Sequence, residues 1–232
     1  MKPQWLPRYP ITPYLPQASA GAAAGDVLAS INTLERLVPA RATFEEKLDG
    51  ANVRVQWNDG EPVVGNRDHV LKKGYVKKET PSKLQFRPLW TWIYDNRKCF
   101  ERLERAMGDV VVFGEWLHAQ HTCFYDALPS PFVAIDLWSE GAFVDPFVTR
   151  ETLFQAGFML PPLLPSPADE KQLLVLANRK STWSSELAEG VYVKVGDGVI
   201  MTERFKLVRT GFVPRADFND VAMRLNVVKK ES

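Results

Sequence analysis

Three short apolar runs, Val110 to Trp116, Phe132 to Trp138 and Val191 to Val195, most constrain what this chain can fold into. Each has strand length, is bounded by turn residues and carries an acid inside it or at its edge: Glu115, Asp136 and Glu189. A lone carboxylate carried into an apolar strand costs several kcal/mol unless it is paired. The strands must therefore bring their acids to partners or to a cleft.

A fourth strand is written just upstream. From Ala51, the polar Asn52, Arg54 and Gln56 alternate with Val53, Val55 and Trp57, the period of a strand with one buried face. Asn58-Asp59-Gly60 then supplies a hairpin turn into residues 61–66. Immediately before this hairpin lies Glu46-Lys47-Leu48-Asp49-Gly50, where Gly50 allows a sharp turn and a close backbone approach. Such a setting can present the Lys47 amine to a phosphate. An attacking lysine must be neutral, so neighbouring cations or burial are expected to keep it unprotonated. Late in the chain Arg204-Phe205-Lys206 sets two cations on one strand face.

Helical periodicity predicts a helix from Asp26, its N-cap, through Val27, Leu28, Ile31, Leu34 and Val38, and another from about Pro88 to Met107. Thr149 is the expected cap of a helix ending near Gly157, and Ser166-Pro167-Ala168-Asp169 opens the next. A last helix is expected around residues 216–225. Residues 1–24, with many prolines and alanines, read as an irregular arm.

The 232 residues suit one domain, or a domain with a small appendage, with a substantial core, and the formal charge of +1 excludes a uniformly basic nucleic-acid binder. Any such contact needs a local patch, for which Lys72, Lys73, Lys77, Lys78 and Lys83 around Tyr75 are the candidates. Two cysteines form no disulfide framework, and His118, His121 and Cys123 fit no closed zinc spacing. With no apolar run long enough to span a bilayer and no signal-peptide core at the start, a cytoplasmic location is expected.

Taken in order, E-K-L-D-G-A-N, G-N-R-D, F-G-E-W-L, A-I-D-L-W, E-G-V-Y-V-K and R-F-K-L-V resemble the nucleotidyltransferase motifs of ATP-dependent polynucleotide ligases, over residues 46–209. The pattern is most similar to the RNA ligase 2 branch, whose first motif ends in Asn, as here at Asn52. The resemblance implies an α+β fold of two antiparallel sheets with flanking helices, the nucleotide lying between the sheets. It also implies an enzyme using ATP and Mg²⁺ or Mn²⁺. Lys47 would form a covalent lysyl-AMP with release of pyrophosphate, the AMP would pass to an RNA 5′-phosphate, and a 3′-hydroxyl would then seal the strand.

By the same resemblance Glu46 and Asn52 flank the nucleophile, Arg67 is the arginine of the second motif, and Glu115 holds the ribose. Asp136 and Glu189 take acidic positions that handle nucleotide or metal, and Lys206 with Arg204 forms the pair at the α-phosphate. Lys194, by strand alternation, faces away from Glu189 and is left out. Two departures stand out. Ile135 occupies the position where the family usually stacks an aromatic on adenine, with Phe132 or Trp138 the rings that could compensate. Only some twenty-five residues follow Leu207, so a single domain with no appended C-terminal OB-type domain is expected, with RNA and an end-healing or RNA-binding protein as partners. A DNA ligase, a GTP-using capping enzyme and a non-catalytic nucleic-acid-binding module are the alternatives.

Overall fold

A computed structural model describes residues 6–15, 26–30, 37, 41–73, 81–215 and 223–229. Two antiparallel sheets face each other. The larger has the order β4-β3-β2-β5-β6-β7, with β2 at Ala51–Asn58, β3 at Glu61–Asn66, β4 at Val70–Leu71, β5 at Val110–Trp116, β6 at Phe132–Ser139 and β7 at Ala142–Phe143. The smaller has the order β10-β9-β1-β8, with β1 at Ala42–Lys47, β8 at Leu163–Leu164, β9 at Gly190–Gly196 and β10 at Met201–Val208. The α+β architecture implied by the sequence is thus the one observed.

Alternation decides which side of each sheet is which. The Val53, Val55 and Trp57 face of β2 joins Val112, Ala134 and Leu137 in an apolar layer covered, after the short helix α1 (Pro81–Leu84), by helices α2 (Arg87–Asp95) and α3 (Arg97–Met107), through Leu89, Ile93, Phe100 and Leu103. Across the molecule Phe44, Val191, Val193, Phe205 and Leu207 pack against Leu173 and Ala177 of α5 (Glu170–Ala177). Both apolar outer faces being sealed, the polar inner faces are left to confront each other. The β2–β3 turn forms as expected, with Asp59 and Gly60 at φ 49° and 84°, the left-handed pair a tight hairpin requires.

Several expected helix boundaries shift. The segment expected over residues 88–107 is two helices broken at Asn96, whose side-chain amide takes the Trp92 carbonyl at 2.8 Å in competition with the backbone ladder. Helix α4 (Pro146–Ala156) ends at Gly157 as expected, but its cap is Asp145, which accepts from the Phe147 and Val148 amides at 2.9 and 3.2 Å; Thr149 lies inside the helix. Asp169, not Ser166, caps α5. Residues 26–30 are extended rather than helical, because Val27 and Ala29 exchange backbone hydrogen bonds with Tyr14, so no helix begins at Asp26 within them. Most of the rest of that expected helix, residues 216–222 and the lysine segment 74–80 lie outside the described residues; residues 223–225 are not helical. Among the described residues no helix is long and apolar enough to cross a membrane.

Candidate active site

The inner face of the small sheet carries Glu45 and Lys47 from β1, Tyr192 and Lys194 from β9, and Arg204 and Lys206 from β10. The antiparallel register places Lys206 opposite Tyr192, Tyr192 opposite Glu45, and Gly190 opposite Lys47. Against them the large sheet sets Asn52, Glu115 and Ile135. A cavity of about 440 Å³ opens between the sheets, walled by Lys47, Asn52, Arg67, Glu115, Ile135 and Lys206 among others. Of the residues singled out in the sequence, these six are therefore brought to one space, 159 positions separating the first from the last in the chain.

Lys47 closes one end of it. Its Nζ lies 2.6 Å from Glu189 Oε2 and 5.6 Å from the centre of the Tyr192 ring. Burial pulls the amine toward neutrality, but Glu189, Tyr192 and Glu115 outweigh it and hold its pKa well above the usual lysine value. This corrects the expectation that neighbouring cations keep Lys47 unprotonated: the closest charges are carboxylates. Burial pushes Glu189 up to about 7 despite Lys47, and pushes Glu115 up to about 8 with help from Glu189 and Asp49. Lys206 moves the other way, lowered by burial and by the charge of Lys47.

The E-K-L-D-G stretch explains itself here. Glu115 Oε1 accepts from the Gly50 amide at 3.1 Å, and a Cβ at Gly50 would come within 2.6 Å of the Trp116 carbonyl oxygen. The close approach that demands glycine is thus to β5. Asp49, which the sequence reading gave no role, accepts from the Thr122 and Cys123 amides at 2.6 Å each, while its own amide donates to the Tyr125 hydroxyl at 2.8 Å. Asp49 therefore fixes the loop after β5 to the residue two beyond Lys47. Asn52 Oδ1 is buried without a hydrogen-bond partner at the cavity wall, a polar group available to a ligand.

Other expected residues sit elsewhere. The Glu46 carboxylate lies on the opposite strand face, taken up by Arg179, the Ser181 hydroxyl and the Thr182 amide. The register between β5 and β6 slips at Ile135, pairing Phe113 with Asp136 but Gly114 with Ala134. This bulge turns Ile135 and Asp136 to the same side of the sheet, where plain alternation would separate them. Ile135 walls the cavity; Asp136 is fully buried behind it, 3.0 Å from Lys194 Nζ and hydrogen-bonded by the Tyr9 hydroxyl. Arg204 approaches the same carboxylate at 3.7 Å and lies over the Phe143 ring at 3.9 Å, so it is separated from the Lys206 end of the cavity.

Lys194, set aside on the sequence, proves to be the buried cation between the sheets, 2.7 Å from Glu45. Glu189 precedes β9, so strand alternation does not carry back to it; counting from Tyr192 instead would have found Lys194 on the inner face. Phe132 and Trp138 supply no ring to the cavity, since Phe132 packs on Trp92 at 4.8 Å in the helix-side core and Trp138 lies behind the wall residues.

As to metal, among the described residues no three His, Cys, Asp or Glu side chains cluster as a protein-only site needs. Asp136 is engaged by cations and Glu189 by Lys47 at 2.6 Å, while Glu115 and Asp26 line the cavity. That donor set fits an ion such as Mg²⁺, which is bound through one or two carboxylates together with phosphates.

A family model described as RNA ligase matches residues 41–208. A search among curated proteins gives no match. Among solved structures, a mutant of Naegleria gruberi RNA ligase with ATP and Mn superimposes with a TM-score of 0.55 at 17% identity, covering 78% of this chain and 53% of that one. The same protein with PPi gives 0.55 at 17%, covering 76% and 53%, and another mutant with AMP and Mn gives 0.54 at 18%, covering 77% and 52%. This chain spans about half the length of those structures, and at such identity the likeness is one of fold.

Proposed function

Since the chain belongs to the RNA ligase family, matched over residues 41–208, we propose that it is an ATP-dependent RNA ligase whose nucleophile is Lys47. The observation that carries this reading is the Lys47–Glu189 contact at the end of a cavity whose other walls offer Glu115, Asn52, Arg67 and Lys206. One amine, two carboxylates and two further cations are what nucleotidyl transfer to a lysine requires: positioning and neutralisation of phosphate charge.

In this reading Lys47 Nζ attacks the α-phosphorus of ATP, an N–P bond forms as the α–β P–O bond breaks, and pyrophosphate leaves with the electron pair. The proton must first leave the amine; the Glu189 carboxylate, 2.6 Å away, favours the charged form, so Lys47 becomes a nucleophile only when that negative charge is offset, as a divalent ion there would do. Arg67 and Lys206 meet the phosphates, Asn52 and Glu115 orient the nucleotide. A divalent ion at Glu115 and Glu189 would add charge neutralisation on the phosphates. The AMP then passes to a 5′-phosphorylated RNA end, and attack by a 3′-hydroxyl seals the strand and frees AMP. The whole chain acts as one nucleotidyltransferase unit, drawing its ends from an end-healing partner.

Intact-protein mass spectrometry after incubation with Mg²⁺ and ATP, GTP or NAD tests the first step. An AMP adduct from ATP, mapped to Lys47 and lost in a folded Lys47→Ala variant, is the expected result. Unchanged labelling of that variant sinks the assignment, and absence of any adduct on the folded wild type turns the reading to a nucleic-acid-binding module.

A further inference from the structure

The family match ends at residue 208, yet the chain beyond it grips the loop that supports the site. Directly after β10 the Arg209 amide donates to the Glu189 carbonyl at 2.9 Å, and Phe212 lies in one buried cluster with Leu48, Leu117, Cys123 and Tyr125. The Arg215 amide then donates to the Thr122 hydroxyl at 3.0 Å. Residues 223–229 return to the same loop after β5. There the Gln120 amide donates to Arg224 O at 2.8 Å, the Leu128 amide to Val227 O at 2.9 Å, and the Lys229 amide to Leu128 O at 2.8 Å. Leu225, Val227 and Val228 stay exposed, so apolar burial is not what this stretch contributes.

Its contribution is Asn226. The side-chain carbonyl accepts from the Tyr125 amide at 2.9 Å, and the side-chain amide donates to the Leu117 and Ala119 carbonyls at 2.8 and 3.2 Å. The backbone amide donates to His118 O at 3.1 Å. One residue thereby ties the start of the loop to its end, with its side-chain acceptor and both side-chain donors matched. Between those ends the Thr122 and Cys123 amides hold the Asp49 carboxylate, and the Tyr125 hydroxyl takes the Asp49 amide. Leu48, between Lys47 and Asp49, is buried among side chains of the same loop. A continuous chain of contacts thus runs from Asn226 through the loop to the turn that carries the amine.

We infer that Asn226 is a positioning residue for the Lys47 nucleophile, acting through the loop and Asp49 without touching the nucleotide. Lys47 is the last residue of β1, so sheet pairing fixes its backbone on one side only. On the other side its course is set by Asp49, hence by the loop. Transfer from phosphorus to nitrogen needs the amine in line with the leaving group, and a misplacement of about 1 Å costs on the order of a hundred-fold in rate. Loosening the loop slows the transfer, while Arg67 and Lys206, held by other segments, keep the phosphates bound. The inference rests on the nucleotide reading above, and the experiment separates the two.

Single-turnover formation of the Lys47 adduct, followed by mass spectrometry over a range of ATP concentrations, gives the rate at saturation and the half-saturating ATP. Asn226→Ala, shown to be folded by circular dichroism, is expected to slow the saturated rate at least about ten-fold and to move half-saturation less than about two-fold. Tyr125→Phe, which removes the acceptor of the Asp49 amide, should slow it comparably. The double variant should be within about three-fold of the slower single one, because both substitutions cut the same chain of contacts. Asn226→Asp, which keeps the acceptor for the Tyr125 amide and lacks the donors, repeats the test should the alanine variant unfold. A smaller loss of rate in the folded variants, a loss confined to half-saturation, or losses that multiply in the double variant overturn the positioning role and leave the ligase reading intact. A folded wild type that forms no adduct overturns both.

Discussion

Replacing Glu115 by Gln should stabilise the nucleotide-free protein at neutral pH while impairing its chemistry. In the folded chain the Glu115 carboxyl is pushed from 4.5 up to about 8, by burial first and by the charges of Glu189 and Asp49, against the pull of Lys47 and the Gly50 amide. A carboxyl whose folded pKa exceeds its unfolded one keeps its proton longer in the folded state. The folded state then binds more protons between those two values, so stability falls as pH rises through the window and levels off above it. From about pH 5 to about pH 7 the loss is on the order of 2 kcal/mol, as an upper figure for a side chain that the cavity leaves partly wet. Glutamine does not titrate and still offers Oε1 to the Gly50 amide, so its variant escapes that loss. Urea unfolding followed by circular dichroism, at about pH 5 and pH 7, measures it. The wild type should lose about 2 kcal/mol more than Glu115→Gln over that interval, and contributions from carboxyls that do not interact with Glu115 cancel in the difference. Adduct formation in the same variant should drop at least ten-fold, about 1.4 kcal/mol in barrier. Parallel stability profiles would refute the argument, since they would mean that Glu115 is not held in a site hostile to its charge.

Lys194→Met leaves Glu45 and Asp136 buried with only Arg150 and Arg204 to offset them, and should lower stability by about 3 kcal/mol at neutral pH. Thermal melts check it, with a fall below about 1 kcal/mol contradicting a desolvated pair. Asp145→Ala removes the α4 cap and the acceptor of the Gly198 amide at 2.9 Å, for an expected loss of about 2–3 kcal/mol by urea unfolding. The adduct on Lys47 in such a variant should still form at temperatures where it is folded.

How much was legible in advance divides by range. The hairpin at Asp59-Gly60, the three acid-bearing strands and the helix stop at Gly157 were readable because each is decided by local chemistry: left-handed φ at the turn, period-two burial, an αL C-cap. The 26–38 helix was misplaced at its start because Tyr14 offers residues 27 and 29 backbone partners from outside the segment, and no periodicity reports that. Asn96 and Asp145 show the same limit at smaller scale, where a side-chain amide or carboxylate settles which residue ends a helix.

The order of motifs along the chain, by itself, pointed to the family and the two-sheet architecture, and it singled out the lysine that we propose as nucleophile. A motif, however, fixes which residues are present and not where a side chain ends up. Glu46 turns outward to Arg179 because it neighbours an inward Lys47 on a strand, and Asp136 sinks behind Ile135 because a one-residue bulge puts both on the same side. The charge state of Lys47 was likewise beyond the sequence, since it depends on a carboxylate 142 residues away lying 2.6 Å from the amine. Tertiary structure decided these because electrostatics and packing act through space, over ångströms, between segments whose separation along the chain carries no information about their distance.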